Sequence, residues 1–376
     1  MTNTQKEPTL VVLELVGGND FLNTLIPYTS GFYYDSRPHI AFKPEDVLPI
    51  NDELGFNKNA TTLQEFYKKG KMGIVQGVGY PDSSRSHFRS RDIWHTCEPD
   101  KVATEGWLGK VIRDLDPNKE NVLTAISISR GLPRAVVAQD VPVTSIGDLD
   151  TYGLLTGIKH EDKRAQAMSI FEKMYSPYTG AGMVRDYLKQ TGRDVQAGAE
   201  ILKTVPGMYS SSIEYADTPI SQNLRDVARI HLADLGVKVF YTQHGGYDTH
   251  ANEYSGHEKL MIDVNRAVKD FFIDLEEHDA ADNVIMMIWS EFGRRVVDNG
   301  SGTDHGAGGG AFLIGNRVNG GLYSEYPSIE PSKTDNGDLA FQYDFRGLYS
   351  SVIEQWFKLD SPSIVGGNFE QLSLIN

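Results

Sequence analysis

Residues 243–257 read QHGGYDTHANEYSGH and gather three histidines, an aspartate and two glutamine- or glutamate-type polar groups into one short stretch. Asp248 and His250 lie two apart, so in an extended segment both side chains point to the same side and can share one metal ion. A carboxylate and an imidazole suit Zn, Mn or Fe. His244 and His257 are near enough in sequence to add ligands or to orient them. The plainer alternative is a polar loop whose Asp248 caps the helix that follows.

Four other stretches carry comparable chemistry. In SGTDHGAGGG, Asp304 and His305 are bracketed by glycines, which let a backbone come close to a ligand. In WSEFGRR, Glu291 closes an apolar run and can ligate a metal, while Arg294 or Arg295 can clamp an oxyanion. GGND places Asp20 after a tight turn, beside Asn19 and Asn23. GYPDSSRSHFRSRDIWH offers Ser83, Ser84, Ser86 and His87 flanked by Arg85, Arg89 and Arg91. A serine at a helix start facing a metal is a workable nucleophile, because both the ion and the helix dipole stabilise its alkoxide. Each stretch read alone has an equally ordinary explanation as a turn, a cap or a solvated ion pair.

The elements that must position these residues decide the matter. TLVVLELV ends at Gly17-Gly18-Asn19-Asp20, and a second buried strand is expected over Met72–Val78. RDVARIHLADLG reads as an amphipathic helix leading to a strand at Val237–Thr242. KLMIDVNRAVKDFFIDLEEHD has apolar residues at helical spacing and leads into the continuous apolar run NVIMMIW. GAFLIGNRV reads as another strand and DFRGLYSSVIEQWF as a closing helix. Wholly apolar strands alternating with amphipathic helices predict a mostly parallel sheet covered on both faces, a three-layer αβα sandwich. Ligands of such sheets sit beyond the strand ends. Asp20, Ser83–His87, His244–His250, Glu291 and Asp304–His305 all fall there. Residues 150–220 read as a helical insertion, and the chain as one domain spanning 1–376.

Composition narrows the function. The chain has 376 residues, 40% hydrophobic and 23% charged, with a formal charge of −15. That charge opposes a phosphate backbone or an anionic bilayer, so neither nucleic acid nor membrane is expected as a partner. A single cysteine, Cys97, excludes an intrachain disulfide and a cysteine-rich zinc site. As written, the start carries no export signal. The expectation is a cytoplasmic protein, or an exported one whose leader has been removed.

Taken together, GGNDFLNTLIPY, SRSHFRSRDIW, GGYDTHANE, WSEFGRR, GTDHG and DFRGLY resemble the bacterial family known as domain of unknown function 1501, in the alkaline phosphatase and sulfatase superfamily. The resemblance implies an alkaline phosphatase-like fold and a divalent-metal site of one or two ions, Zn or Mn first, Mg or Ca next. On it, Asp20 matches the metal-binding aspartate after the first strand, Ser86 the nucleophile, and Asp248, His250 and His305 the first metal site. Glu291-Phe292-Gly293 stands where the superfamily has Asp-His-Gly, so Phe292 replaces a ligand and His87 or His244 is left to substitute. Cys97 lacks the arginine that formylglycine formation needs.

The expected function is metal-dependent hydrolysis of phosphate or sulfate esters, hence a small anionic ester as substrate. The residues expected to act are Ser86, His87, Arg85 and Arg294, with Asp20, Asp248, His250, Glu291, Asp304 and His305 as metal ligands. The rival is a non-catalytic, metal-stabilised binding or structural protein on the same fold. A phosphoryl-moving isomerase would need a larger, more basic cap than 150–220 supplies.

Overall fold

The computed structural model describes residues 7–129, 131–152, 158, 160–175, 194 and 196–376. Twelve strands are present among them: β1 Thr9–Val16, β2 Leu25–Ile26, β3 Val47–Pro49, β4 Gly55–Asn57, β5 Met72–Gly79, β6 Ala125–Ile128, β7 Thr144–Ile146, β8 Val239–Gly245, β9 Val284–Trp289, β10 Gly309–Ile314, β11 Gly321–Tyr323 and β12 Tyr343–Asp344. Nine form one sheet in the order β11-β5-β10-β9-β1-β8-β6-β7, with β12 beside β5. Strands β2, β4 and β3 make a small separate sheet.

The large sheet is α/β in the expected sense. β1 is parallel to β8 and β9, β6 is parallel to β7 and β8, and β11 and β12 are parallel to β5. Only β10 runs the other way, against both β5 and β9. The alternation of β1 explains why its sequence reads as one apolar run. Val11, Leu13 and Leu15 point into one hydrophobic core with Leu224, Val264 and Phe271, while Leu10 and Val12 point into another with Trp94, Trp107 and Leu348. Helices Pro219–Leu232 and Glu253–Glu277 cover the first face. Helices His87–Thr96, Trp107–Leu115 and Phe345–Gln355 cover the second. Burial on both faces leaves no solvated side for polar residues, as parallel sheets require.

The reversed β10 matters most to the site. A loop joining antiparallel neighbours leaves and returns at the same end of the sheet. Residues 290–308 therefore begin and finish beside the carboxyl ends of β1 and β8. The strand expected at Val237–Thr242 runs instead from Val239 to Gly245, because its pairing with β1 continues through Val16 opposite Gly245. Of the stretch 150–220, residues 153–157, 159, 176–193 and 195 lie outside the described residues. The remainder includes the helix Glu161–Tyr175 and a short one, Val205–Met208.

Candidate metal centre

Three strand ends and one helix start meet here. β1 stops at Gly17, whose φ of +122° and crowding against the backbone of Asp248 leave no room for a side chain. The Gly17 N–H donates to both oxygens of Glu291, at 2.9 and 3.2 Å. The 290–308 loop folds back on itself: Gly293 N donates to Ala307 O at 2.9 Å and Gly306 N to Gly293 O at 2.9 Å. This fold pairs Arg294 with His305 as an antiparallel bridge and carries His305 toward β1. Ser86 occupies the N-cap of the helix His87–Thr96. Ser90, on that helix, donates its hydroxyl to Glu291 O at 2.5 Å and so fixes His87 against the same loop.

The outcome is a convergence of one carboxylate oxygen and three ring nitrogens. His305 Nε2 lies 3.0 Å from Asp248 Oδ1, 3.0 Å from His87 Nε2 and 3.0 Å from His250 Nε2. Asp248 Oδ1 is also 3.3 Å from His87 Nε2 and 3.1 Å from His250 Nε2. His87, Asp248 and His305 form a group of donors close enough to share one ion, and His250 shares its Asp248–His305 edge.

The far side of each ring settles its tautomer. His87 Nδ1 is 2.8 Å from Glu291 Oε1, His250 Nδ1 is 3.1 Å from Asp304 Oδ1, and His305 Nδ1 is 2.7 Å from the carbonyl oxygen of Arg85. Those oxygens can only accept, so every Nδ1 carries the proton. In the neutral rings each Nε2 then presents a lone pair. Lone pairs facing one another and a carboxylate at 3.0 Å repel unless a cation lies among them. Neighbouring ligands of an ion bound at about 2.0–2.2 Å are themselves about 3–3.5 Å apart, which is the spacing seen. The residues fit a divalent ion.

With no ion between these groups, protons on the rings take its place. Burial pushes the Asp248 carboxyl up, but the hydrogen bonds from Arg294 and His305 and the charges of Arg294 and His87 outweigh it and hold it at about 2. Hydrogen bonding to Glu291, set against partial burial, raises His87. Asp304 is lowered chiefly by its hydrogen bond with His250. The face of the cluster stays open: the side chains of Asp248 and His250 are 48% and 45% exposed.

The profile of the family described as "Protein of unknown function (DUF1501)" matches residues 71–359. The chain belongs to that family. No curated protein matches this DUF1501 member. Among solved structures it is similar to the sulfatase PsFucS1 from Pseudoalteromonas sp., at 12% identity and a TM-score of 0.42 over 98% of this chain and 71% of that one. A protein in the alkaline phosphatase superfamily from Vibrio parahaemolyticus aligns at 11% identity and a TM-score of 0.39, over 86% and 64% of the two chains. The lipoteichoic acid synthase LtaP from Listeria monocytogenes aligns at 9% identity and 0.40, over 89% and 74%.

The DUF1501 structure sorts the expected site residues into distinct places. Asp248, His250 and His305 are brought together, and His87 joins them from the helix start. Glu291 and Asp304, also expected as ligands, lie on the far sides of the rings, where they accept hydrogen bonds from His87 Nδ1 and His250 Nδ1. Asp20 stands apart. It is buried, and its Oδ2 pairs with Arg37 Nη1 at 2.5 Å. Arg294 is fully buried and spent: its nitrogens donate to the carbonyls of Gly17, Gly18, Tyr247 and Thr303 and to Asp248. It ties three loops together and has no edge left for a substrate. Arg85 is anchored to Asp338 through Nε and Nη2 at 2.9 and 2.5 Å. Ser86 is exposed, and its side chain makes no capping hydrogen bond. His244 bonds Tyr247 Oη at 2.9 Å, outside the cluster. Phe292 is buried with its ring centroid 4.8 Å from that of His87 and 5.1 Å from that of His305, an apolar wall behind both imidazoles.

Spacing in the sequence gave no sign of a buried acid group beneath this site. Glu253 is 0% exposed and accepts from Thr303 Oγ1 at 2.6 Å. Burial, then the charge and hydrogen bond of Asp20, push its carboxyl up to about 9. Asp20 itself, raised by burial but lowered more by Arg37 and Glu253, is held at about 2. Asp20 is therefore the charged member of the pair and Glu253 the neutral one.

Proposed function

We propose that this protein is a metal-dependent hydrolase of phosphate or sulfate esters, with His87, Asp248, His250 and His305 holding a divalent ion. The observation that carries the reading is the pair His305 Nε2 and Asp248 Oδ1, 3.0 Å apart, each of which lies within 3.0–3.3 Å of both His87 Nε2 and His250 Nε2. An imidazole-rich donor set favours Zn or Mn over Mg or Ca. When bound, the ion would supply Lewis acidity toward an ester oxygen. Ser86 is the nucleophile in this reading. Its hydroxyl is solvent-facing, free of the capping role, and adjacent in sequence to His87. Its oxygen attacks phosphorus or sulfur, the alcohol departs with a proton, and water then cleaves the serine ester and restores the hydroxyl. Arg85 holds a non-reacting oxygen through the guanidinium edge that Asp338 does not occupy.

One observation favours a second reading. If His250 closes on the ion together with His87, Asp248 and His305, four protein donors fill a tetrahedral shell, and a closed shell is the mark of a structural ion. A six-coordinate ion on the same donors would leave room for substrate.

The test is elemental analysis of the purified chain together with turnover of a panel of phosphate and sulfate esters. About one ion per chain, lost in an Asp248→Ala, His305→Ala double variant, and turnover lost in both that variant and Ser86→Ala, is the expected result. Metal without turnover selects the structural reading, and no metal without chelators in purification overturns both.

A further inference from the structure

Arg91 follows His87 by four residues in the helix His87–Thr96, so the two lie on one face. Its Nε and Nη2 donate to Glu14 at 2.7 and 3.0 Å. Glu14 is fully buried on β1 and also accepts from Tyr241 Oη and Gln243 Nε2, both at 2.6 Å. The guanidinium is thus held along one edge by an acid with no freedom to move. Its Nη1 makes no hydrogen bond to any described residue, and the side chain is 30% exposed. The negative charge of Glu291, which holds His87, is felt at Arg91.

Arg85, two residues before His87 in the chain, is built the same way. Buried Asp338 takes its Nε and Nη2, Nη1 bonds no described residue, and the side chain is 45% exposed. Other arginines nearby differ. Arg294 is spent on backbone carbonyls, and Arg89 donates to Asp92, Glu98, Pro99 and Lys101. A guanidinium that only needed to anchor a helix could do so from the surface. Sinking Glu14 into the sheet to hold it costs desolvation that a fixed, outward-facing donor edge would explain.

We infer that Arg91, one helical turn beyond His87, is a second arm of an oxyanion cradle beside Arg85, donating from Nη1 to a tetrahedral phosphate or sulfate group. The inference rests on the hydrolase reading above, and names the part of that site that recognises the anion. Two preorganised guanidinium edges would share the equatorial oxygens, one donor group to each.

Binding of inorganic phosphate to the metal-loaded full chain, measured by calorimetry, is the test. Arg91→Met alone leaves Glu14 buried without its cation, so a Glu14→Gln, Arg91→Met double variant, which keeps the core neutral, is measured beside it. Phosphate affinity falling about 10- to 100-fold in the double variant, with metal content and melting temperature retained, is the expected result. Arg91→Lys, which keeps charge but loses the fork, should fall between. Wild-type affinity in a folded, metal-loaded double variant overturns the inference and leaves the hydrolase reading intact. Loss of metal together with phosphate also overturns it, since Arg91 would then act on the metal cluster's structure. A wild-type chain that holds no metal overturns the reading beneath it, and the inference with it.

Discussion

A neutral imidazole that donates from one nitrogen can only ligate or accept at the other, and that rule gives the residue-scale predictions. Asp304 sits 3.1 Å from His250 Nδ1 with its side chain 60% exposed, so its removal disturbs little except that ring's orientation. Asp304→Ala should weaken metal binding about 10- to 100-fold while leaving about one ion per chain at saturation, read by competition with a chromophoric chelator. Asp248→Ala removes a donor atom and should abolish saturation in the same assay. Equal losses in the two variants would make Asp304 a ligand after all. Glu253 gives a second test. Burial, then the charge of Asp20, push its folded-state carboxyl up from an ordinary value of 4.5 to about 9. A raised folded pKa means the folded state holds more protons, so this contribution is complete below about pH 4.5 and is lost as pH rises toward 9. Glu253→Gln, which cannot ionise, should melt like the wild type near pH 5 and progressively above it between pH 6 and 9. Parallel melting curves across that range would show that Glu253 is ionised in the folded protein.

At the scale of elements, Gly17 is where β1 hands the chain to the site. A Cβ there would collide with the backbone of Asp248. Gly17→Ala should destabilise the fold by roughly 2 kcal/mol or more and displace the Asp248 loop, read as a lowered melting midpoint together with lost metal. The same junction shows what could be read in advance. β1, β5 and β9 announced themselves as apolar runs because both faces of the sheet are buried, and their ends pointed to loops that the structure brings together. The direction of β10 was invisible, since an apolar run reads the same either way along a sheet. Yet that direction sends the 290–308 loop back to its starting end. Short strands such as β7 and β11 have too few residues to show a period. The residue types of the site were legible as a set, whereas the partition into ring-facing acids and ion-facing donors was not. Glu291 and Asp248 are both loop carboxylates after a strand, and only the position of His87 makes one of them a proton acceptor. Asp20 met Arg37, 17 positions on, through a buried ion pair that no spacing rule foresees.

For the whole molecule, the donors come from three distant points in the chain, 87, 248–250 and 305, and are fixed by the ends of β1, β8 and β9 and the start of one helix. An ion that joins them binds only the folded arrangement, so its binding free energy adds to folding stability. With free metal about 1,000 times above its dissociation constant, that addition is about 4 kcal/mol. Spread over a chain of 376 residues, the unfolding entropy makes this a shift of about 5 °C in melting temperature. Adding a strong chelator should therefore lower the wild-type midpoint by about that much, and returning Zn or Mn should restore it. The Asp248→Ala, His305→Ala variant should melt at one temperature with or without chelator, because nothing remains to be withdrawn. A chelator effect of equal size in both proteins would place the ion elsewhere, for which Asp274, Glu277 and His278 form the other acidic–histidine group among the described residues. There His278 places both ring nitrogens against backbone oxygens, at 2.7 Å from Asp274 O and 2.8 Å from Ser210 O. Both nitrogens must donate, which leaves no lone pair for a metal. The chelator shift should accordingly follow His305 and be indifferent to His278→Gln.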